Sequence, residues 1–234
     1  MFVTEQQRIL TPWHGSEGGR SFHRAPIAAG WYDAVDEGWW PSVSDVRAGC
    51  LRLPSGKSAR PIAPNSVLSA VLIFVFNEAG EPHVALIERS HRSPNNPGEL
   101  AFPGGILHPR ESALTAALRE TEEEVGVKSS DIEVLASLDE IATPSGFLVR
   151  PYIGLVTGRP DFLIDPTEVE RVVTVSLAEL ALPSVHRQLP FPGTGVLLNH
   201  FDVGELNAWG MTGDLLAQLL TIAADGRRGD DRVA

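Results

Sequence analysis

The pattern of apolar and polar positions divides the chain near residue 65. Over residues 1–64, four of the five tryptophans (Trp13, Trp31, Trp39 and Trp40) are scattered among Gly, Ser and Pro with little periodicity. No element is predicted there. The segment reads as an extension whose aromatics pack on the main body, with a lid or homodimer contact as the functional alternative, because exposed Trp favours interfaces. From residue 65 the pattern sharpens. Residues 67–76 and 83–88 are apolar, β-branched runs on either side of a turn-rich stretch, 77–82, which predicts a hairpin. Residues 99–102 read as a short strand stopped by Pro103-Gly104-Gly105. Residues 111–125 form the clearest helix, with Ala113, Ala116, Ala117 and Leu118 on one side and Gly126 as its stop. Residues 132–138, 147–156 and 171–175 read as further strands. A last helix over 205–224 carries Leu206, Trp209, Leu215, Leu216, Leu219 and Leu220 at near-helical spacing. Residues 227–234 form a charged tail expected to fray. One strong helix among several strands predicts an α/β (α+β) body over 65–226, with helices layered on a mixed sheet.

Composition narrows the partners. The 234 residues suffice for a proper core, and 30 Asp+Glu against 19 Lys+Arg give a net charge of −11. Such a surface repels phosphate backbones, so nucleic acid is a poor partner, and it repels a polyphosphate metabolite unless cations mediate the contact. Cys50 is the only cysteine and has no activating base beside it, which fits a reducing cytoplasm. The longest apolar run, 67–76, is far short of the roughly 20 residues of a bilayer span. Residues 1–10 carry Glu5, Gln6, Gln7 and Arg8 and no apolar signal core, so no membrane partner is expected. The seven histidines show no metal-ligand spacing.

The chemistry concentrates in residues 105–127. Glu120, Glu122, Glu123 and Glu124 fill four of five positions, and Glu120, Glu123 and Glu124 share one helix face by their i, i+3, i+4 spacing. Like charges so spaced cost roughly 0.2–0.5 kcal/mol per pair. The helix C-terminus disfavours anions by roughly 0.3–1 kcal/mol more. A divalent cation held by oxygen ligands reverses both penalties, and hard Mg2+ or Mn2+ suits carboxylates. The Gly104-Gly105 turn lacks side chains, so a main-chain carbonyl could approach the same ion.

Gly105, Glu111 and then Arg119-Glu120-Thr121-Glu122-Glu123-Glu124-Val125-Gly126-Val127 resemble the Nudix box. All seven fixed Gly, Glu and Arg positions are present, and Thr121 departs where the pattern has an aliphatic residue. The resemblance implies an α/β/α sandwich that uses divalent metal to hydrolyse a nucleoside diphosphate linked to another group. By position it implies the Gly105 carbonyl, Glu120, Glu123 and Glu124 as metal ligands. Arg119 would orient the glutamates and Glu111 would support the loop–helix geometry. The general base would be Glu120 or Glu168, since the family often supplies a further acid from a loop beyond the box.

A narrower similarity concerns substrate. Leu86-Ile87-Glu88-Arg89-Ser90, Gly98 and Phe102-Pro103-Gly104-Gly105 resemble the upstream signature of the coenzyme A diphosphatase branch. So do Thr143-Pro144-Ser145-Gly146-Phe147 with Pro151, and Trp209-Gly210-Met211-Thr212. This resemblance implies Arg89, Arg92, Phe102 and Gly104 as substrate contacts. It also implies cleavage of coenzyme A or acyl-CoA to 4′-phosphopantetheine and adenosine 3′,5′-bisphosphate. The chain has Pro94 where that signature has Arg, and Ile87 where it has Thr. A lost Arg–phosphate contact is worth on the order of 1.5–3 kcal/mol, which keeps ADP-ribose, NADH and nucleoside-diphosphate sugars as alternative substrates. A non-catalytic nucleotide sensor fits less well, because the box glutamates are all present.

Overall fold

The computed structural model describes residues 31–36, 38–54, 66–93, 96–143, 145–193 and 195–230; Trp13, Asn65, Pro94, Pro144 and residues 231–234 lie outside them. Strand β1 (Val67–Glu78) carries eight consecutive buried positions. Its side chains alternate between faces, so Ala70, Leu72, Phe74 and Phe76 enter one apolar cluster while Val71, Ile73 and Val75 enter another. A strand buried on both faces needs a cover on each, and this builds the layers. Strand β2 (Glu81–Arg89) returns antiparallel through Ala79 (φ 53°) and Gly80 (φ 94°). Two consecutive positive φ values define the tight hairpin turn that follows strand twist, so both strands extend further than the apolar runs suggest.

The rest of the sheet positions the site. Beyond the hairpin come β3 (Leu100–Ala101), β4 (Gly104–Ile106), β5 (Ile132–Ser137), β6 (Ile141–Ala142), β7 (Phe147–Val156) and β8 (Val169–Ser176). β7 runs parallel to β1, and β5 and β6 pair antiparallel with β7. β8 lines the other side of β2. β1 and β2 separate away from their turn, and there β3 pairs with β2 while β4 pairs with β1. The result is a mixed eight-stranded sheet.

Helix α3 (Ala113–Val125) covers one face through Ala116, Ala117 and Val125. The other face is covered by α1 (Trp31–Asp36), α2 (Val43–Arg52), α4 (Leu177–Ala181) and α5 (Gly210–Asp230). An antiparallel sheet of β9 (His186–Pro190), β10 (Leu197–Val203) and β11 (Leu206–Ala208) packs beside α5. Helices on both faces of a mixed sheet give the sandwich expected from the box. No helix among the described residues is long and apolar enough to cross a membrane.

Several elements differ from the sequence reading. The Trp-rich segment contains α1 and α2, and buries Trp31 and Trp39 in the cluster shared with α5, whereas Trp40 is 55% exposed. The last helix starts at Gly210 (φ 62°), so Leu206 lies on β11 and Trp209 in the turn before the helix. That helix continues to Asp230, so the charged stretch is helical as far as it is described. β9 and β10 were not anticipated, because their short runs lack clear alternation.

Candidate active site

The site begins where β1 and β2 part. β4 sets Gly104 opposite Val71 and Gly105 opposite Ala70. A Cβ on Gly104 (φ 154°) would lie 2.2 Å from the Ala70 carbonyl oxygen, and one on Gly105 would lie 2.4 Å from the Glu120 carboxyl carbon. At Gly104 the obstacle is main chain, so only glycine lets the backbone pass so close; at Gly105 it is the end of the Glu120 side chain. The Gly104 N–H donates to Glu124 Oε2 at 2.9 Å.

Helix α3 supplies most of the charge. It starts at Ser112, whose hydroxyl accepts the Thr115 N–H at 3.1 Å, and ends at Gly126 in the left-handed conformation. Glu124 is 2% exposed. Burial pushes its carboxyl up to about 8; the Gly104 N–H and the Arg89 charge oppose this, and Glu120 and Glu168 add to it. Glu120 is half-buried and shifted upward, again chiefly by burial. Arg119 ties the cluster together. Its Nε donates to Glu111 Oε1 at 2.9 Å, and its Nη1 to Glu120 Oε1 at 2.9 Å and Glu123 Oε2 at 2.8 Å. Its Nη2 reaches Glu111 Oε2 at 3.1 Å and the Ile106 carbonyl at 3.3 Å. The Arg119 bonds, helped by the His108 N–H, hold the Glu111 carboxyl down at about 2.

Glu168 approaches from residues 157–168, between β7 and β8. Glu120, Glu124 and Glu168 each offer a carboxylate oxygen, all within 4.8 Å of one another. Glu123 lies outside that 4.8 Å group; it is 58% exposed and, like Glu120, accepts a bond from Arg119 Nη1. Three clustered carboxylates, one fully buried, form a hard oxygen donor set that fits Mg2+ or Mn2+. Thr121 is buried, and its hydroxyl donates to the Ala117 carbonyl at 2.7 Å, so the departure from an aliphatic residue leaves no polar atom unpaired.

The expected substrate contacts divide. Arg89, at the end of β2, lies within electrostatic reach of Glu124 and Glu99 and donates to Ser93 Oγ at 3.4 Å. Arg92 is exposed, and its N–H bonds Ser90 Oγ at 3.3 Å. Phe102 is 3% exposed and packs in the core cluster shared with α5.

The NUDIX domain family matches residues 67–191. An uncharacterized Nudix hydrolase, NudL, of Photorhabdus laumondii is 34% identical over 148 residues, which span 62% of this chain and 78% of the relative. Nudix hydrolase 3 of Caenorhabditis elegans is 29% identical over 191 residues, 73% of this chain and 80% of that one. Among solved structures, a MutT/nudix family protein from Enterococcus faecalis superposes with a TM-score of 0.48 at 21% identity, over 82% of this chain and 76% of its own. The matched span runs from the first residue of β1 through β9 and includes α3 and every carboxylate of the site; the chain belongs to the Nudix family and is a hydrolase of pyrophosphate bonds.

Proposed function

We propose that this chain hydrolyses coenzyme A or acyl-CoA to 4′-phosphopantetheine and adenosine 3′,5′-bisphosphate, with Mg2+ or Mn2+ held at the carboxylates. The observation that carries the diphosphatase chemistry is the meeting of Glu120, Glu124 and Glu168 beside the side-chain-free Gly104-Gly105 backbone. The proposed ligands are the Gly105 carbonyl, Glu120, Glu123 and Glu124, with Glu168 near enough to Glu120 and Glu124 to reach the same ion. A divalent ion there offsets the negative charge of a diphosphate and acidifies bound water. The chain's own residues do the rest. Gly104 fixes the Glu124 carboxylate, and Arg119 fixes Glu120. A carboxylate that takes the proton of the attacking water is worth about 10²–10⁴ in rate. Glu120 is bonded to Arg119 while Glu168 is exposed, which favours Glu168 as that base. Arg89 and Arg92 carry positive charge to the rim of an acidic site, where substrate phosphates are bound.

The signature running from Leu86 to Gly105 supports coenzyme A. Pro94 and Ile87 favour the second reading, ADP-ribose, NADH or a nucleoside-diphosphate sugar. Residues 65–226 form the proposed catalytic domain, and a cytoplasmic location accords with the lone buried Cys50. The test is a panel of coenzyme A, acetyl-CoA, ADP-ribose, NADH and a nucleotide sugar with Mg2+ or Mn2+, products separated by chromatography. Release of the two named products is expected. No turnover at millimolar coenzyme A, with hydrolysis of another member, transfers the assignment to that member.

A further inference from the structure

Glu168 reaches its partners from the end of a connection with no regular structure, and such a segment has no intrinsic reason to hold one carboxylate in one place. Two stitches dock it. The last carbonyls of a helix have no partner within the helix. Here Leu163 donates its N–H to the Val125 carbonyl at 3.0 Å, and Asp165 donates its N–H to the Glu124 carbonyl at 3.2 Å. Gly126 clears the path, since a Cβ on it would lie 2.7 Å from the Leu163 Cβ. The connection is thereby fixed to the helix that carries Glu120 and Glu124.

Asp165 then builds the turn that presents Glu168. Its Oδ1 accepts the Thr167 N–H at 2.8 Å and the Thr167 hydroxyl at 2.7 Å. Its carbonyl accepts the N–H groups of Glu168 at 3.1 Å and Val169 at 2.8 Å. The far side is closed by Ser90, whose N–H donates to the Glu168 carbonyl at 2.8 Å. Asp165 therefore bonds both to the helix of the site and to the backbone on either side of Glu168.

We infer that Asp165 is a positioning residue: its side chain shapes the 165–168 turn so that Glu168 faces Glu120 and Glu124, and it acts on hydrolysis only through Glu168. This rests on the reading of Glu168 as a member of the site. The experiment compares the full-length chain with D165A, D165N, E168Q and D165A/E168Q. Rates are measured on the best substrate of the panel, per folded molecule, and Mn2+ affinity by calorimetry. Displacing a catalytic group by about 1 Å costs on the order of 100-fold, so D165A is expected to lose about 10–100-fold in kcat with KM little changed and Mn2+ bound more weakly. D165N keeps an oxygen that accepts both Thr167 bonds and restores most of the loss. D165A adds nothing once Glu168 is already Gln. A D165A protein with unchanged kcat and Mn2+ affinity overturns the inference, as do losses that add in the double variant or a D165N as impaired as D165A. If the unsubstituted chain hydrolyses no member of the panel, the functional reading fails, and the Mn2+ titrations still decide the positioning role.

Discussion

At Glu124, burial and charge pull in opposite directions. A carboxyl lifted to about 8 by its surroundings is poorly suited to stay ionised, and a neighbouring cation is what makes ionisation favourable. Replacing it with Gln keeps an acceptor for the Gly104 N–H and removes the charge. E124Q is expected to lose several orders of magnitude in kcat while its melting temperature without metal stays equal or rises. Activity close to that of the unsubstituted chain would detach Glu124 from the chemistry. Glu111 is the opposite case, with a folded carboxyl at about 2 against an ordinary value of 4.5. A lowered carboxyl stabilises the fold above the unfolded value and loses that contribution as pH falls through the folded one. E111Q is therefore less stable than the parent at pH 7, and urea titrations should show the difference closing between pH 4.5 and about 2. At this scale the sequence was partly legible. Helical spacing put Glu120, Glu123 and Glu124 on one face, but it could not tell that Arg119 bonds Glu111, Glu120 and Glu123 together, because that depends on where a long cation finds its acceptors. Glu168 was visible only as an acid beyond the box; its arrival depends on tertiary bonds from Leu163 and Asp165.

The elements differ in how plainly they were written. β1, β2, β7 and α3 declare themselves, because a strand buried on both faces needs an unbroken apolar run and a capped helix needs its Gly stop. α1, α2, β9 and β10 did not. They are short, and their burial is set by α5 and the second sheet rather than by their own periodicity. Leu206 and Trp209 matched a helical period by coincidence, which the positive φ of Gly210 interrupts. The β4–α3 contact offers a direct test of how closely the two elements must approach. G105A places a methyl 2.4 Å from the Glu120 carboxyl carbon, and the atom it meets is the end of a side chain that can move. The expected outcome is a kcat lowered by about 100-fold with little change in melting temperature, since the displaced group is a proposed metal ligand and not part of the core. A large fall in melting temperature with normal kcat per folded molecule would show that β4, not Glu120, yields.

For the whole molecule, the sandwich separates stability from chemistry. The carboxylates lie on the α3 face, while α2 and α5 cross on the other face with almost no space between them. A Cβ on Gly49 would stand 1.9 Å from the Ile222 carbonyl oxygen, and one on Gly226 would stand 1.9 Å from the Asp45 carbonyl oxygen. G49A brings two opposing effects. Alanine in a helix interior gains about 1 kcal/mol over glycine. Overpacking costs about 1–3 kcal/mol, and here the obstacle is main chain, which no rotamer change relieves, so the upper part of that range applies. The helices must move apart, and the net loss is expected to be about 1–2 kcal/mol, read as a lower urea midpoint with an unchanged slope. Because the α3 face shares only the sheet with this crossing, kcat per folded molecule and Mn2+ affinity should be unaltered. If G49A changes either one at a temperature where the protein is fully folded, the sheet transmits the displacement and the two layers act as one. If stability instead rises, the helices have room that the Gly49–Ile222 approach denies.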